Sequence, residues 1–132
     1  MNGPGAYLDA SAFVKLVVDE PESEALESRL RSWPARTSSA LLRTEARRAV
    51  RHLDSAAMER AVTALRGVRL IDVRANILDS AGLIDPTVLR SLDAIHLATA
   101  QALGGDVAVV FTYDHQMRRG GELLGLPVES PA

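Results

Sequence analysis

Val107-Ala108-Val109-Val110-Phe111 is an unbroken apolar run, and Thr112-Tyr113-Asp114 follows it at once. So short and β-branched a run, bounded by glycine and aspartate, reads as a strand buried on both faces. Upstream, Ser91 to Leu103 predicts a helix that stops at Gly104-Gly105. Before it, Val68 to Val73 predicts another strand. Ile77, Leu78, Ala81 and Leu83 predict a helix, which Pro86 interrupts. Near the start, Ala6-Tyr7-Leu8 reads as a strand running straight into Asp9. Ser11 is expected to cap the next helix, with Phe13, Leu16 and Val17 at helical spacing. Pro21 suits the first turn of a second helix, carrying Ala25, Leu26 and Leu30 inward. Arg36-Thr37-Ser38-Ser39 is a short polar strand. Leu42, Ala46, Ala49, Val50 and Leu53 then mark a helix face. Ser55 is expected to cap a further helix through Leu65, closed by Gly67. A short helix and an edge strand at Leu126-Pro127-Val128 end the chain. Strands alternating with helices predict an α/β sandwich on a mainly parallel sheet, whose ligands bind beyond the carboxyl ends of the strands.

The chain has 132 residues, 47% hydrophobic and 24% charged, with a net charge of -2. That composition fits one globular domain, 1–132, and argues against disorder. The absence of cysteine removes disulfides, thiolate zinc sites and iron–sulfur clusters. No apolar run reaches the roughly 18 to 20 residues of a membrane span. Met1-Asn2-Gly3-Pro4-Gly5 has neither the basic region nor the apolar core of a secretory signal. A cytoplasmic protein with no membrane contact is expected. Lys15 is the only lysine among 15 basic residues. The arginine bias suits bidentate contact with phosphate or carboxylate, and it also follows from a GC-rich genome.

Most of the 17 acidic residues read as solvated surface. Four do not. Asp9 ends the first strand with no spacer, and Asp114 follows the most apolar one. If both strands are central and parallel, both carboxylates leave the same sheet edge. Glu45 lies about 60° from the Leu42–Ala46–Ala49–Leu53 stripe at about 100° per residue, bordering the buried face. Arg43, Arg47 and Arg51 point away from that stripe. Asp93 opens the alanine-rich helix Leu92-Asp93-Ala94-Ile95-His96-Leu97-Ala98-Thr99-Ala100. Taken singly, each acid is an ordinary turn or helix-start residue. Together at one edge they repel, by about 4 kcal/mol per close pair at intermediate dielectric. A divalent cation relieves that repulsion, and oxygen-only donors suit Mg²⁺, or Mn²⁺ as a substitute, over zinc. The reaction best served by such a site is phosphodiester hydrolysis.

Ser11 is close enough to Asp9 for its hydroxyl to hold a metal-bound water, and Thr112 is similarly placed for Asp114. His96 reads as a packed core histidine, His115 as a neighbour of a helix cap and His52 as surface. No nucleophile elbow, P-loop or dinucleotide fingerprint is present.

The segments Tyr7-Leu8-Asp9-Ala10-Ser11-Ala12, Leu42-Arg43-Thr44-Glu45-Ala46, Leu92 to Ala100 and Phe111-Thr112-Tyr113-Asp114 together resemble a PIN domain, in particular the VapC-type ribonuclease toxins of bacterial toxin–antitoxin pairs. The resemblance spans nearly the whole chain in the family's motif order. It implies a three-layer α/β/α sandwich and a Mg²⁺-dependent endoribonuclease. It matches Asp9, Glu45, Asp93 and Asp114 to the family's acidic quartet, and Ser11 and Thr112 to its supporting hydroxyls. It also implies an RNA substrate, a homodimer and a cognate antitoxin whose C-terminal segment lies across the active-site groove. On this reading Asp9 and Asp93 hold the principal metal. Glu45 completes its shell or orients a water, and Asp114 holds a second ion or positions the nucleophile. Arg43, Arg47, Arg48 and Arg51 are candidates for phosphate or antitoxin contact, and equally for a solvated face. The main rival is a non-catalytic RNA- or protein-binding module on the same fold. A haloacid-type phosphatase fits less well, because Ser11 stands where its second aspartate belongs. A receiver domain lacks its acidic pair.

Overall fold

The computed structural model describes residues 3–132. Five strands form one sheet: β1 (Gly5–Leu8), β2 (Arg36–Ser39), β3 (Arg69–Ile71), β4 (Val107–Phe111) and β5 (Val128–Glu129). The helices are α1 (Ala10–Lys15), α2 (Ser23–Leu30), α3 (Leu42–Val50), α4 (Ser55–Leu65), α5 (Ala75–Ala81), α6 (Ser91–Leu103) and α7 (His115–Leu123). A 3₁₀ turn at Gly104–Asp106 leads into β4. The spatial order is β3-β2-β1-β4-β5, and every ladder is parallel. The expected parallel α/β sheet is therefore present.

The layers follow from strand alternation. Ala6 and Leu8 of β1, with Val109 and Phe111 of β4, join the core built by α1 to α4. Tyr7 points the other way, to Leu97 of α6 and Met117 of α7. The small faces of α5 and α6 meet through Ile77, Ala81, Ala94 and Ala98. Helices thus cover both faces of the sheet, a three-layer α/β/α arrangement. From β1 the chain moves outward through β2 to β3, then returns to place β4 on the other side of β1. The reversal leaves a crevice between β1 and β4 at their carboxyl ends, where open parallel sheets bind ligands.

Several local expectations are corrected. Asp9, not Ser11, caps α1, accepting from the Ala12 N–H at 2.9 Å. Asp54, not Ser55, caps α4 in the same way. Both aspartates stand one position outside the helix, where an extended backbone lets a carboxylate fold back on the first turn. The strand expected over Val68–Val73 shrinks to Arg69–Ile71, since β2 offers only Thr37, Ser38 and Ser39 as ladder partners. The last strand is Val128–Glu129. Pro127 has no N–H to give a ladder, though its carbonyl accepts from Val110. Leu53, expected on the helix face of α3, and Leu83, expected in the helix of α5, lie past the ends of those helices and are exposed. Gly5 is needed where it stands, because an added Cβ would meet the Ala35 carbonyl oxygen at 2.4 Å. Among the described residues, no helix is long and apolar enough to cross a membrane.

Candidate active site

Asp9 leaves β1 at the crevice, 2% exposed. Its Oδ1 accepts from the Ser11 hydroxyl at 2.7 Å and from the Ala12 N–H at 2.9 Å. Its Oδ2 accepts from the Thr112 hydroxyl, reaching across from the end of β4. The ladder explains the meeting. Leu8 lies opposite Phe111, so the residues that follow the two strands emerge side by side. The same two hydroxyls bind the next loop. Ser11 Oγ accepts from the Tyr113 N–H at 2.8 Å, and Thr112 Oγ1 accepts from the Asp114 N–H at 3.1 Å. Asp114 caps α7 through the Met117 N–H. Thr112 thus links Asp9 to Asp114 directly, donating to one and accepting from the other. The expected pairing of Thr112 with Asp114 is present, but through the Asp114 backbone.

Asp93, in the first turn of α6, is half-buried. Its pKa is pushed from the ordinary 3.8 to about 6, chiefly by burial and then by the charges of Asp114 and Asp9, against the relief of His96 and Arg90. The Asp9 pKa is also raised, by burial, with its hydroxyl and amide donors and then His96 pulling the other way. The three aspartates therefore share one electrostatic environment. Among the described residues no lysine or arginine forms an ion pair with any of them. Lys15 bonds Glu22 at 2.9 Å, reaches Glu20 at 3.5 Å and lies over the Tyr113 ring.

Glu45, on α3, is tied to α6 through His96. Its Oε1 lies 2.6 Å from His96 Nε2, and His96 Nδ1 lies 2.7 Å from the Tyr7 hydroxyl. His96 is wholly buried, as expected for a core histidine, yet both ring nitrogens are engaged. The link from Asp93 to His96 to Glu45 is the part the sequence reading missed. Its one local signal is the spacing of Asp93 and His96, three apart and therefore on one face of α6.

Among the described residues, no three His, Asp or Glu side chains already enclose a point that would cage an ion. The hydrogen bonds give the reason. Asp9 is turned onto Ser11, Ala12 and Thr112, Asp114 onto Met117, and Glu45 onto His96. A hard divalent cation remains compatible with this donor set. Mg²⁺ keeps most of its waters and takes only one or two carboxylates directly. An ionised carboxylate has about four lone-pair positions, and Asp9 uses three. A concavity of about 760 Å³ lies at the opposite end of the sheet beside Gly5 and Arg36 and touches none of these acids. A pocket of about 520 Å³ borders Asp114, walled by Lys15, Tyr113, His115 and Arg118.

This fold and edge chemistry agree with what the chain is similar to. A family model described as PIN domain matches residues 6–123. The chain belongs to the PIN-domain family. Ribonuclease VapC46 of Mycobacterium tuberculosis is 48% identical to this PIN domain over 126 residues, covering 96% of this chain and 97% of that protein. Ribonuclease VapC35 of the same species is 36% identical, covering 95% and 96%. A chain of VapBC2 from Rickettsia felis, solved bound to a DNA fragment from its promoter, superposes with a TM-score of 0.75 at 14% identity, covering 96% and 98%. Mycobacterium tuberculosis VapC20, described as a sarcin–ricin loop cleaving toxin, gives 0.71 at 18% identity, covering 89% and 95%. The two superpositions bear on fold alone. This PIN domain is accordingly a ribonuclease of the VapC type, and nucleases of the family depend on metal.

On α3, Arg43, Arg48 and Arg51 are exposed, and Arg47 bonds the Arg43 carbonyl. None pairs with the acids, so the structure gives them a solvated helix face.

Proposed function

We propose that this PIN domain is a Mg²⁺-dependent endoribonuclease toxin, with Asp9, Glu45, Asp93 and Asp114 as its acidic residues and Ser11 and Thr112 supporting them. The observation that carries the reading is the meeting of Asp9 and Asp114 through the Thr112 hydroxyl at the carboxyl ends of β1 and β4, with Asp93 near enough that their charges help to raise its pKa. Mg²⁺, when bound, supplies Lewis-acid polarisation of the phosphate and acidifies a water. Asp9 and Asp93 would hold the ion, and Mn²⁺ would substitute for it. Ser11 and Thr112 keep the Asp9 carboxylate from rotating. Asp114, anchored by its cap to α7, faces the pocket beside the site and would position the water that attacks.

An antitoxin partner is part of this reading, supported by neighbours solved as toxin–antitoxin complexes. A homodimer and a cytoplasmic location complete it. The test is cleavage of RNA with Mg²⁺, with chelator, and by Asp93→Asn. The expected result is cutting in the first case alone, with the variant down by at least about 100-fold. Equal cutting in all three would reject the reading.

A further inference from the structure

Tyr7, His96 and Glu45 come from three elements, β1, α6 and α3. They nonetheless form one continuous chain of side-chain hydrogen bonds, Tyr7 Oη to His96 Nδ1 at 2.7 Å and His96 Nε2 to Glu45 Oε1 at 2.6 Å. A carboxylate only accepts, so Nε2 carries a hydrogen toward it, and in the neutral ring Nδ1 accepts the Tyr7 O–H. Tyr7 and His96 are wholly buried, with rings edge to face at 80° and centroids 5.8 Å apart. The imidazole therefore has no room to swing. Glu45 keeps 16% of its side chain exposed, and its Oε1 is clamped by the imidazole, which leaves Oε2 outside that bond.

The arrangement is costly if it serves packing alone. A buried polar or ionic pair is often no more stabilising than apolar residues of the same volume. Tyr7 packs with Leu97, Val110 and Met117, where a phenylalanine would pack without a polar atom.

We propose that Tyr7 and His96 are positioning residues that fix the Glu45 carboxylate toward the metal site. The inference rests on the ribonuclease reading above. His96 is three residues from Asp93 on α6, so a single rigid helix sets the place of Asp93 and, through the imidazole, that of Glu45. Partners of this kind orient metal-site groups, and losing one typically costs 10- to 100-fold in metal affinity or activity.

The experiment measures Mn²⁺ binding by electron paramagnetic resonance, kcat and KM for RNA cleavage, and thermal melting. It uses the wild-type chain, His96→Ala, His96→Gln and Tyr7→Phe. The expected result is Mn²⁺ binding about 10- to 100-fold weaker in His96→Ala, with kcat reduced and KM for RNA unchanged. His96→Gln, whose amide N–H reaches Glu45, restores most of both. Tyr7→Phe shows a smaller loss in the same direction. Wild-type Mn²⁺ affinity and kcat in a folded His96→Ala overturns the proposal, as does an equal loss in His96→Gln. If His96→Ala does not fold, Tyr7→Phe decides, because it removes only the hydroxyl, and wild-type values there overturn it. A wild-type chain that neither binds Mn²⁺ nor cuts RNA defeats the ribonuclease reading itself, a result distinct from active wild type with indifferent variants.

Discussion

Asp9 and Asp93 lie in the same cluster but are held in opposite ways. Asp9 accepts from Ser11, Ala12 and Thr112, so its carboxylate is part of the fold. Asp93 is a half-buried acid pressed by its neighbours. Asparagine at position 9 turns an NH₂ toward a hydroxyl that now donates, and Asp9→Asn should lower stability by about 1–2 kcal/mol. Asp93→Asn should do the reverse, raising the melting temperature in chelator by about 3–5 °C while losing cleavage. Thermal melts of both check this; a destabilised Asp93→Asn would contradict the repulsion. A pH dependence follows with a definite sign. Below about 3.8 Asp93 is protonated in both states. Between there and about 6 the unfolded chain has released its proton while the folded chain still holds it. Stability without metal should therefore fall as pH rises through that window and level off above it. Asp9, also raised, adds to the same trend. Urea midpoints at pH 4.5 and 7 measure it, and Asp93→Asn should flatten the slope; an unchanged slope would remove Asp93 as the cause.

At the scale of elements, glycine decides how closely backbones approach. Gly5 lets β1 pass against the Ala35 carbonyl, and Gly120 and Gly121 let α7 approach Leu97 and Val128. Gly5→Ala should cost about 1–3 kcal/mol, because the obstructing atom is backbone and has no rotamer to yield. A urea titration showing a loss below about 0.5 kcal/mol would mean that β1 shifts freely. The elements themselves were largely legible from periodicity. The helix over Ser91–Leu103 and the strand over Val107–Phe111 match the structure residue for residue. Strand ends at the sheet margins were not legible, since a ladder stops where its partner does. Asp caps were mistaken for Ser caps because both residue types serve, and only backbone angles decide which stands outside the helix. Arg29 binds Glu129 by two bonds, tying α2 to β5. Both side chains are about 40% exposed, so the pair is held to a small contribution.

For the whole molecule, the site stands on the two central strands and is steadied by both helical layers. A cation bound only by the folded state should raise the melting temperature, by about 2.7 kcal/mol of stability at a hundredfold excess over Kd. Differential scanning fluorimetry with millimolar Mg²⁺ and then chelator tests this; no shift would argue against an assembled site. By itself, the sequence determined the order of strands and helices, the apolar faces and which acids end strands or open helices, because each is a local matter of spacing and residue type. It also carried the family's motif order. Only the tertiary structure decided that β1 and β4 are neighbours, which brings Thr112 onto Asp9, and that Tyr7, His96 and Glu45 form one chain. Tyr7 and His96 are 89 positions apart and His96 and Glu45 are 51 apart. Hydrogen bonds act over about 3 Å and carry no trace along the chain, so their pairing exists only once the sheet and α6 have packed.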